Sequence, residues 1–254
     1  MLIHFLRHAT FIIKLNGINL LVDPMLSRAE AMDPVQNAAD QRRIPLIELP
    51  LDDTALRQLI EQVDAVLVTH LHRDHWDARA VEFLPQNIPL LCQPEDQTRL
   101  SQAGFTAVQP IASEFRWRDI IFNRTGGRHG TGEIGQKMGP VSGFILQAAG
   151  EPTLYIAGDT IWCEEVAQAL RTHQPDVTMV NAGTAQFLTG DPITMTAEDV
   201  CQVCRAQPQA RIIAVHMEAV NHCLLTRGQL RERLEQEGVS AQVIIPVDGE
   251  LIEF

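Results

Sequence analysis

The sequence predicts a layered α/β fold. Apolar runs of strand length, rich in β-branched residues, recur along all 254 residues, amphipathic stretches of helical period fall between many of them, and several runs end in a histidine or an aspartate. Strands that end in such residues are what a site at one edge of a layered sheet requires. Hydrophobic content of 45% with no low-complexity tract indicates a globular chain, read as one domain over residues 1–254.

In chain order, residues 2–6, 10–15 and 18–22 read as strands. Asn16-Gly17 between the last two is a hairpin signal, and Asp23-Pro24 stops the ladder. From Met25 to about Asp52 there is no periodicity, but there are three prolines and a basic trio, Arg28, Arg42 and Arg43. A loop this long often serves as a lid or binding loop. Residues 54–62 predict an amphipathic helix, 64–68 a short buried strand, 77–83 a short helix, 89–92 a strand and 95–103 a helix. Residues 114–124 alternate as one antiparallel strand leading into a glycine-rich bend, 126–132, which surrounds His129. Glycines there allow close approach, and without a Lys-Ser/Thr pair or a helix start the bend does not read as a P-loop. Strands are expected at 141–147, 153–157, 177–181, 211–215, 243–246 and 251–254, with helices at 164–172, 196–206 and 226–236. The second of these strands ends in Gly158-Asp159-Thr160, and the fourth in His216 with His222 six residues on.

The densest chemistry is Thr69-His70-Leu71-His72-Arg73-Asp74-His75, delivered by the 64–68 strand. If the chain stays extended through His72, residues two apart share a side, so His70 and His72 converge on one ion. Asp74 and His75, at a bend, are placed for a second. Imidazole and carboxylate donors suit Zn²⁺, Mn²⁺ or Fe²⁺. His8 and Asp23 are polar residues at strand ends whose importance depends on what surrounds them.

A formal charge of −12 disfavours tracking a nucleic-acid backbone, although bound cations would still admit a small anionic substrate. Apolar runs of strand length argue against a membrane span, and the first six residues read as a strand rather than a signal peptide. Five cysteines without framework spacing fit a reducing cytoplasm, with Cys201 and Cys204 as structural residues on one helix face.

His-x-His-x-Asp-His at His70, His72, Asp74 and His75, then His129, then Asp159 after a glycine, then His216, resembles the metallo-β-lactamase-fold hydrolase superfamily over essentially the whole chain. His8-Ala9-Thr10 and Leu21-Val22-Asp23-Pro24 look like the subgroup of ascorbate-6-phosphate lactonase and N-acylphosphatidylethanolamine phospholipase D relatives. The resemblance implies an αββα sandwich of two mixed β-sheets with metals at one edge. It assigns His70, His72 and His129 to one divalent ion, Asp74, His75 and His216 to the other, and Asp159 as the bridge. Thr69, Asp23 and Thr160 would orient these ligands.

The expected chemistry is attack by a hydroxide shared between two ions on a small lactone or phosphoester, with Asp74 or Asp159 taking its proton and His222 protonating the leaving group. Arg42 and Arg43 are candidates to clamp an anionic group. Competing expectations are a phosphodiesterase, a persulfide dioxygenase with one iron, and a non-enzymatic binding member. Homo-oligomers are common among relatives.

Overall fold

The computed structural model describes residues 1–254. Strands β1 (Leu2–Arg7), β2 (Thr10–Leu15) and β3 (Ile18–Val22) pair antiparallel, β2 turning into β3 at Asn16 and Gly17, both at positive φ. Strands β4 (Ala65–Val68), β5 (Leu90–Cys92) and β6 (Val108–Pro110) add in parallel beyond β3. The second sheet begins with the antiparallel strands β7 (Glu114–Trp117), β8 (Ile120–Thr125), β9 (Gly143–Ala148) and β10 (Leu154–Ile156). It continues in parallel with β11 (Val177–Asn181), β12 (Arg211–Val215) and β13 (Val243–Ile244). Strand β14 (Leu251–Glu253) returns to β1, giving two seven-stranded sheets ordered β14-β1-β2-β3-β4-β5-β6 and β13-β12-β11-β10-β9-β8-β7.

Side-chain alternation explains the layering. Leu20, Val22 and Leu67 point into a 23-residue core that also holds Phe122, Ile156 and Ile213 from the other sheet. Leu21, Val66 and Val68 point outward, against helices α1 (Asp53–Ile60), α2 (Ala78–Phe83) and α3 (Gln97–Gln102). Helix α4 (Gly132–Met138) lies between β8 and β9 in the chain and has no buried residue. On the second sheet Val180, Ile212 and Ala214 meet α5 (Glu164–His173), α6 (Ala197–Ala206) and α7 (Arg227–Gln236). A strand apolar on both faces is what burial on both sides demands, as in β4. The result is the expected αββα sandwich of two mixed sheets.

The sequence reading needs three corrections. Residues 114–124 form two strands, because Arg118, at φ 50°, turns the chain between Trp117 and Ile120. The strand β6 was not foreseen; its three residues are only half-buried, so it lacks an apolar run. A helix does start in the glycine-rich segment: α4 offers no periodic signal, and Gly135 is needed because a Cβ there would stand 2.6 Å from the Gly130 carbonyl oxygen. The segment 25–52 carries no regular helix or strand, as expected. No helix is long and apolar enough to cross a membrane.

Candidate metal centre

Seven chain segments deliver polar residues to one rim of the sandwich. His8 follows β1, Asp23 follows β3, residues 69–75 follow β4, His129 follows β8, Asp159 follows β10 and His216 follows β12, while Asn181 ends β11. Beyond Val68 the chain leaves the strand yet still brings His70 and His72 together, His70 Nε2 standing 2.9 Å from His72 Nδ1. A turn closed by the His75 and Trp76 amides on the His72 carbonyl then swings Asp74 and His75 inward.

The expected residues gather in two groups linked by a third, made of His70, His75 and Asp159. His70, His72 and His129 present ring nitrogens to one another, with His129 Nε2 3.3 Å from His72 Nδ1. Asp74, His75 and His216 form the second group, which His8 joins. His75 Nε2 is 3.1 Å from His216 Nε2, and His8 Nε2 is 3.2 Å from Asp74 Oδ2. Asp159 lies between the groups, its Oδ2 3.4 Å from His129 Nε2 and 3.3 Å from His75 Nε2, its Oδ1 3.3 Å from His216 Nε2. The Asp159 oxygen is held from behind by Asn181 Nδ2 at 2.6 Å.

The donor chemistry fits cations. Asp23 accepts from the Thr69 amide at 2.8 Å, from Thr69 Oγ1 at 2.7 Å and from His75 Nδ1 at 2.8 Å. With its Nδ1 proton committed to a carboxylate, neutral His75 has only a lone pair at Nε2, aimed at His216 and Asp159. Thr69 spends its own proton on Asp23, so it accepts from His70 Nδ1 at 3.1 Å and leaves His70 Nε2 as a second inward lone pair. His129 Nδ1 donates to the Ile193 carbonyl at 2.7 Å, making its Nε2 a third. His72 Nδ1 has at most one hydrogen for the lone pairs of both His70 and His129. Buried acceptors that converge on acceptors are satisfied by a cation, and each imidazole has its other nitrogen oriented as metal ligands require.

Charge states follow the same logic. Burial would lower the pKa of His75, but the carboxylates of Asp159, Asp23 and Asp74 raise it well above the ordinary histidine value, so a proton sits where a cation would. Burial would raise Asp74 and Asp159, yet the histidines around them hold both well below the usual carboxylate range. Burial, reinforced by neighbouring histidines, lowers His70. Burial also lowers His129. His8 falls to about 3 and His222 to about 4, in both cases chiefly through burial.

Above the cluster opens a cavity of about 200 Å³ with His72, Asp74, His129, Asp159 and His222 as its polar floor. Its walls include Val35 and Gln36 from the 25–52 segment, Met138 from α4, and Phe187 and Ile193 from the loop before α6. Arg73 is the one cation that lines it. Arg42 and Arg43 are not brought there: Arg42 pairs with half-buried Asp40 at 2.5 Å and Arg43 with exposed Asp33. Thr160 supports the site indirectly, accepting from the Arg128 amide at 2.8 Å next to His129.

Several functional contacts were not foreseen. Asn181 ends a strand read only as structural, and Cys223 Sγ lies 3.6 Å from His216 Nδ1. Asparagine at a strand terminus, repeating the placement of Asp159, was the available signal for the first. The Cys223 contact carried none, because it depends on the turn after His216.

A rim-mounted His/Asp cluster on an αββα sandwich defines the metallo-β-lactamase class of metal-dependent proteins. The chain matches the beta-lactamase superfamily domain over residues 18–217, and it is 37% identical to the UPF0173 protein YddR of Bacillus subtilis, an alignment covering 98% of each chain. It belongs to the UPF0173 family of the beta-lactamase superfamily, several of whose members are named metal-dependent hydrolases. Two crystal structures are similar over nearly their full lengths: a possible metal-dependent hydrolase from Veillonella parvula, with a TM-score of 0.95, 34% identity and coverage of 99% of this chain and 98% of that one; and the isothiocyanate hydrolase from Delia radicum gut bacteria, with a TM-score of 0.94, 34% identity and coverage of 100% and 99%.

Proposed function

We propose that the protein is a metal-dependent hydrolase of a small, largely apolar electrophile, with an isothiocyanate as the favoured substrate class. The observation that carries this reading is the cavity: a polar floor of imidazoles and carboxylates under walls of Val35, Met138, Phe187 and Ile193, with Arg73 as its one cation. For a phosphoester Arg73 would be the one guanidinium to add to the ions, since Arg42 and Arg43 pair elsewhere, and the apolar walls favour a neutral substrate over it. The likeness to the isothiocyanate hydrolase supports the choice of class. A small lactone, expected from the sequence alongside a phosphoester, is the second reading, since the same apolar walls accept it.

His70, His72 and His129 would hold one divalent ion and Asp74, His75 and His216 the other, with Asp159 between them. Such ions, zinc first among the candidates, lower the pKa of water to about 7 and polarise the substrate. The residues around them supply the rest. Asp23 and Thr69 keep the lone pairs of His75 and His70 turned inward, and Asn181 fixes the Asp159 carboxylate. Asp74 or Asp159 takes the proton of the attacking water. His222, neutral because burial lowers its pKa to about 4, offers a ring N–H to the substrate nitrogen as the C–N bond breaks. Water adds across the C=N bond of R–N=C=S, the proton taken by Asp74 or Asp159 passing to nitrogen, and the resulting R–NH–C(=O)–SH gives its S–H proton to nitrogen as C–N breaks, releasing R–NH2 and carbonyl sulfide while the His222 N–H serves as a hydrogen-bond donor and stays on its ring.

The test is turnover of phenethyl isothiocyanate, small lactones and bis-p-nitrophenyl phosphate by protein stripped of metal and reloaded with zinc, manganese or iron. Hydrolysis of the isothiocyanate with zinc or manganese supports the favoured class. Preference for a lactone promotes the second reading. Oxygen-dependent turnover of a persulfide with one iron per chain would replace both.

A further inference from the structure

The Val35–Gln36 wall of the cavity is held by one buried side chain, Asn221, and next to it by the Leu188 amide donating to the Asn37 carbonyl at 2.7 Å. Val35 donates its amide to Asn221 Oδ1 at 2.8 Å, and Asn221 Nδ2 donates to the Val35 carbonyl at 3.1 Å and to the Asp40 carbonyl at 2.6 Å. An asparagine that engages both backbone groups of one residue acts as a short piece of strand partner for a segment that has no sheet of its own. Asn221 is 3% exposed, so water does not compete for these bonds. Apart from the Leu46 amide, which donates to the Ala219 carbonyl at 2.7 Å, the rest of the seam is apolar: Met25 and Ile44 pack on Ala219 and Val220, with Val35 against the same cluster. The residue after Asn221 is His222, on the cavity floor, and the residue after Val35 is Gln36, on its wall. Asn221 therefore fixes the spacing between floor and wall.

We propose that Asn221 is a positioning residue that sets substrate size: by clamping Val35 and Asp40 it holds the Val35–Gln36 wall against the bound substrate's apolar part. It touches no reacting atom and belongs to none of the candidate metal groups. Removing it leaves an amide and two carbonyls without partners in a buried seam, which is relieved by the wall moving outward. Binding of an apolar substituent then weakens, while the chemistry on the cavity floor continues.

The proposal rests on the substrate reading above only for its kinetic probes. Metal-loaded wild type, Asn221→Ala and Asn221→Asp are compared with methyl isothiocyanate and phenethyl isothiocyanate, together with metal content and hydrogen exchange of the Val35 amide. Asn221→Ala is expected to raise KM for the phenethyl compound about tenfold with kcat within threefold, and to change KM for the methyl compound little. Asn221→Asp keeps the acceptor for the Val35 amide but sets a carboxylate against two carbonyl oxygens, so it is expected to behave no better than alanine. Metal content stays at the wild-type level, and the Val35 amide exchanges faster in both variants. If KM for both compounds is unchanged, or kcat falls with metal content, the specificity role is overturned. Should wild type hydrolyse neither compound, the substrate reading fails on its own, and exchange still decides the clamp: an unaltered Val35 amide in both variants sinks it.

Discussion

The imidazoles of His8 and His216 lie against each other, ring centroids 3.6 Å apart and planes tilted by 38°, and the His216 amide donates to the His8 carbonyl at 2.9 Å. Both residues are left-handed, at φ 61° and 70°, and they end β1 and β12, strands of opposite sheets. This pair closes the rim of the sandwich beneath the second candidate ion. His8 also reaches Asp74 Oδ2 through its Nε2, so one side chain positions two members of that group.

His8→Asn keeps a residue that tolerates the left-handed backbone and a donor, but removes the ring beneath His216. The expected result is a loss of about ten- to a hundredfold in affinity at the Asp74–His75–His216 group, with the other group retained. On the two-ion proposal, metal titration followed by elemental analysis should show one tightly held ion per chain in the variant against two in wild type. Full wild-type affinity would mean that the stack is packing alone.

Asp23 satisfies three donors at once and is buried. Asp23→Ala is expected to destabilise the protein by about 2–4 kcal/mol, since three buried groups lose their acceptor. It should also lower metal affinity, because His75 loses the contact that fixes its tautomer. Denaturation in urea with and without zinc separates the two effects. Equal losses in both conditions would limit Asp23 to a structural role.

Much of this was legible because chemistry follows strand ends. His70, Asp159 and His216 each stand just past an apolar run, so the sequence exposed the rim before the sheets were known. The pairing of β14 with β1, which brings residue 253 beside residue 2, has no local signal. Neither does the cavity wall: α4 buries nothing, and the 25–52 segment is held by Asn221 from 186 residues away. His8 read as a strand-end polar residue, and only the fold, which carries the ends of β1 and β4 to one rim of the first sheet, makes it a neighbour of Asp74. The positive charges of Arg42 and Arg43 were visible, while their pairing with Asp40 and Asp33 depends on the path of the loop.

Because Arg42 and Arg43 pair within the loop, changing both to alanine should leave KM for any substrate within about twofold of wild type. Arg43 also bonds the carbonyls of Glu30 and Ala31, so a small loss of loop order is the larger expected effect. A tenfold rise in KM confined to anionic substrates would bring these residues back to the site. Arg73→Ala is the matched comparison, since Arg73 lines the cavity and Arg42 and Arg43 do not.

The buried histidines fix how metal-free protein responds to acid. His222, lowered to about 4 mainly by burial, and His8, lowered to about 3, are both held neutral in the fold. A depressed folded-state pKa favours the native state fully above the unfolded value near 6.5, and this contribution is lost as pH falls through the window down to the folded values. For His222 the loss amounts to on the order of 3 kcal/mol once pH reaches about 4. His75 works in the opposite sense: its raised pKa stabilises the fold below 6.5 and is lost as pH climbs through the folded value. Chelator-treated protein should therefore be less stable in urea at pH 4.5 than at pH 6.5, and His222→Gln should make that fall shallower. An identical acid slope in the variant would show that His222 gives up its burial before it takes a proton.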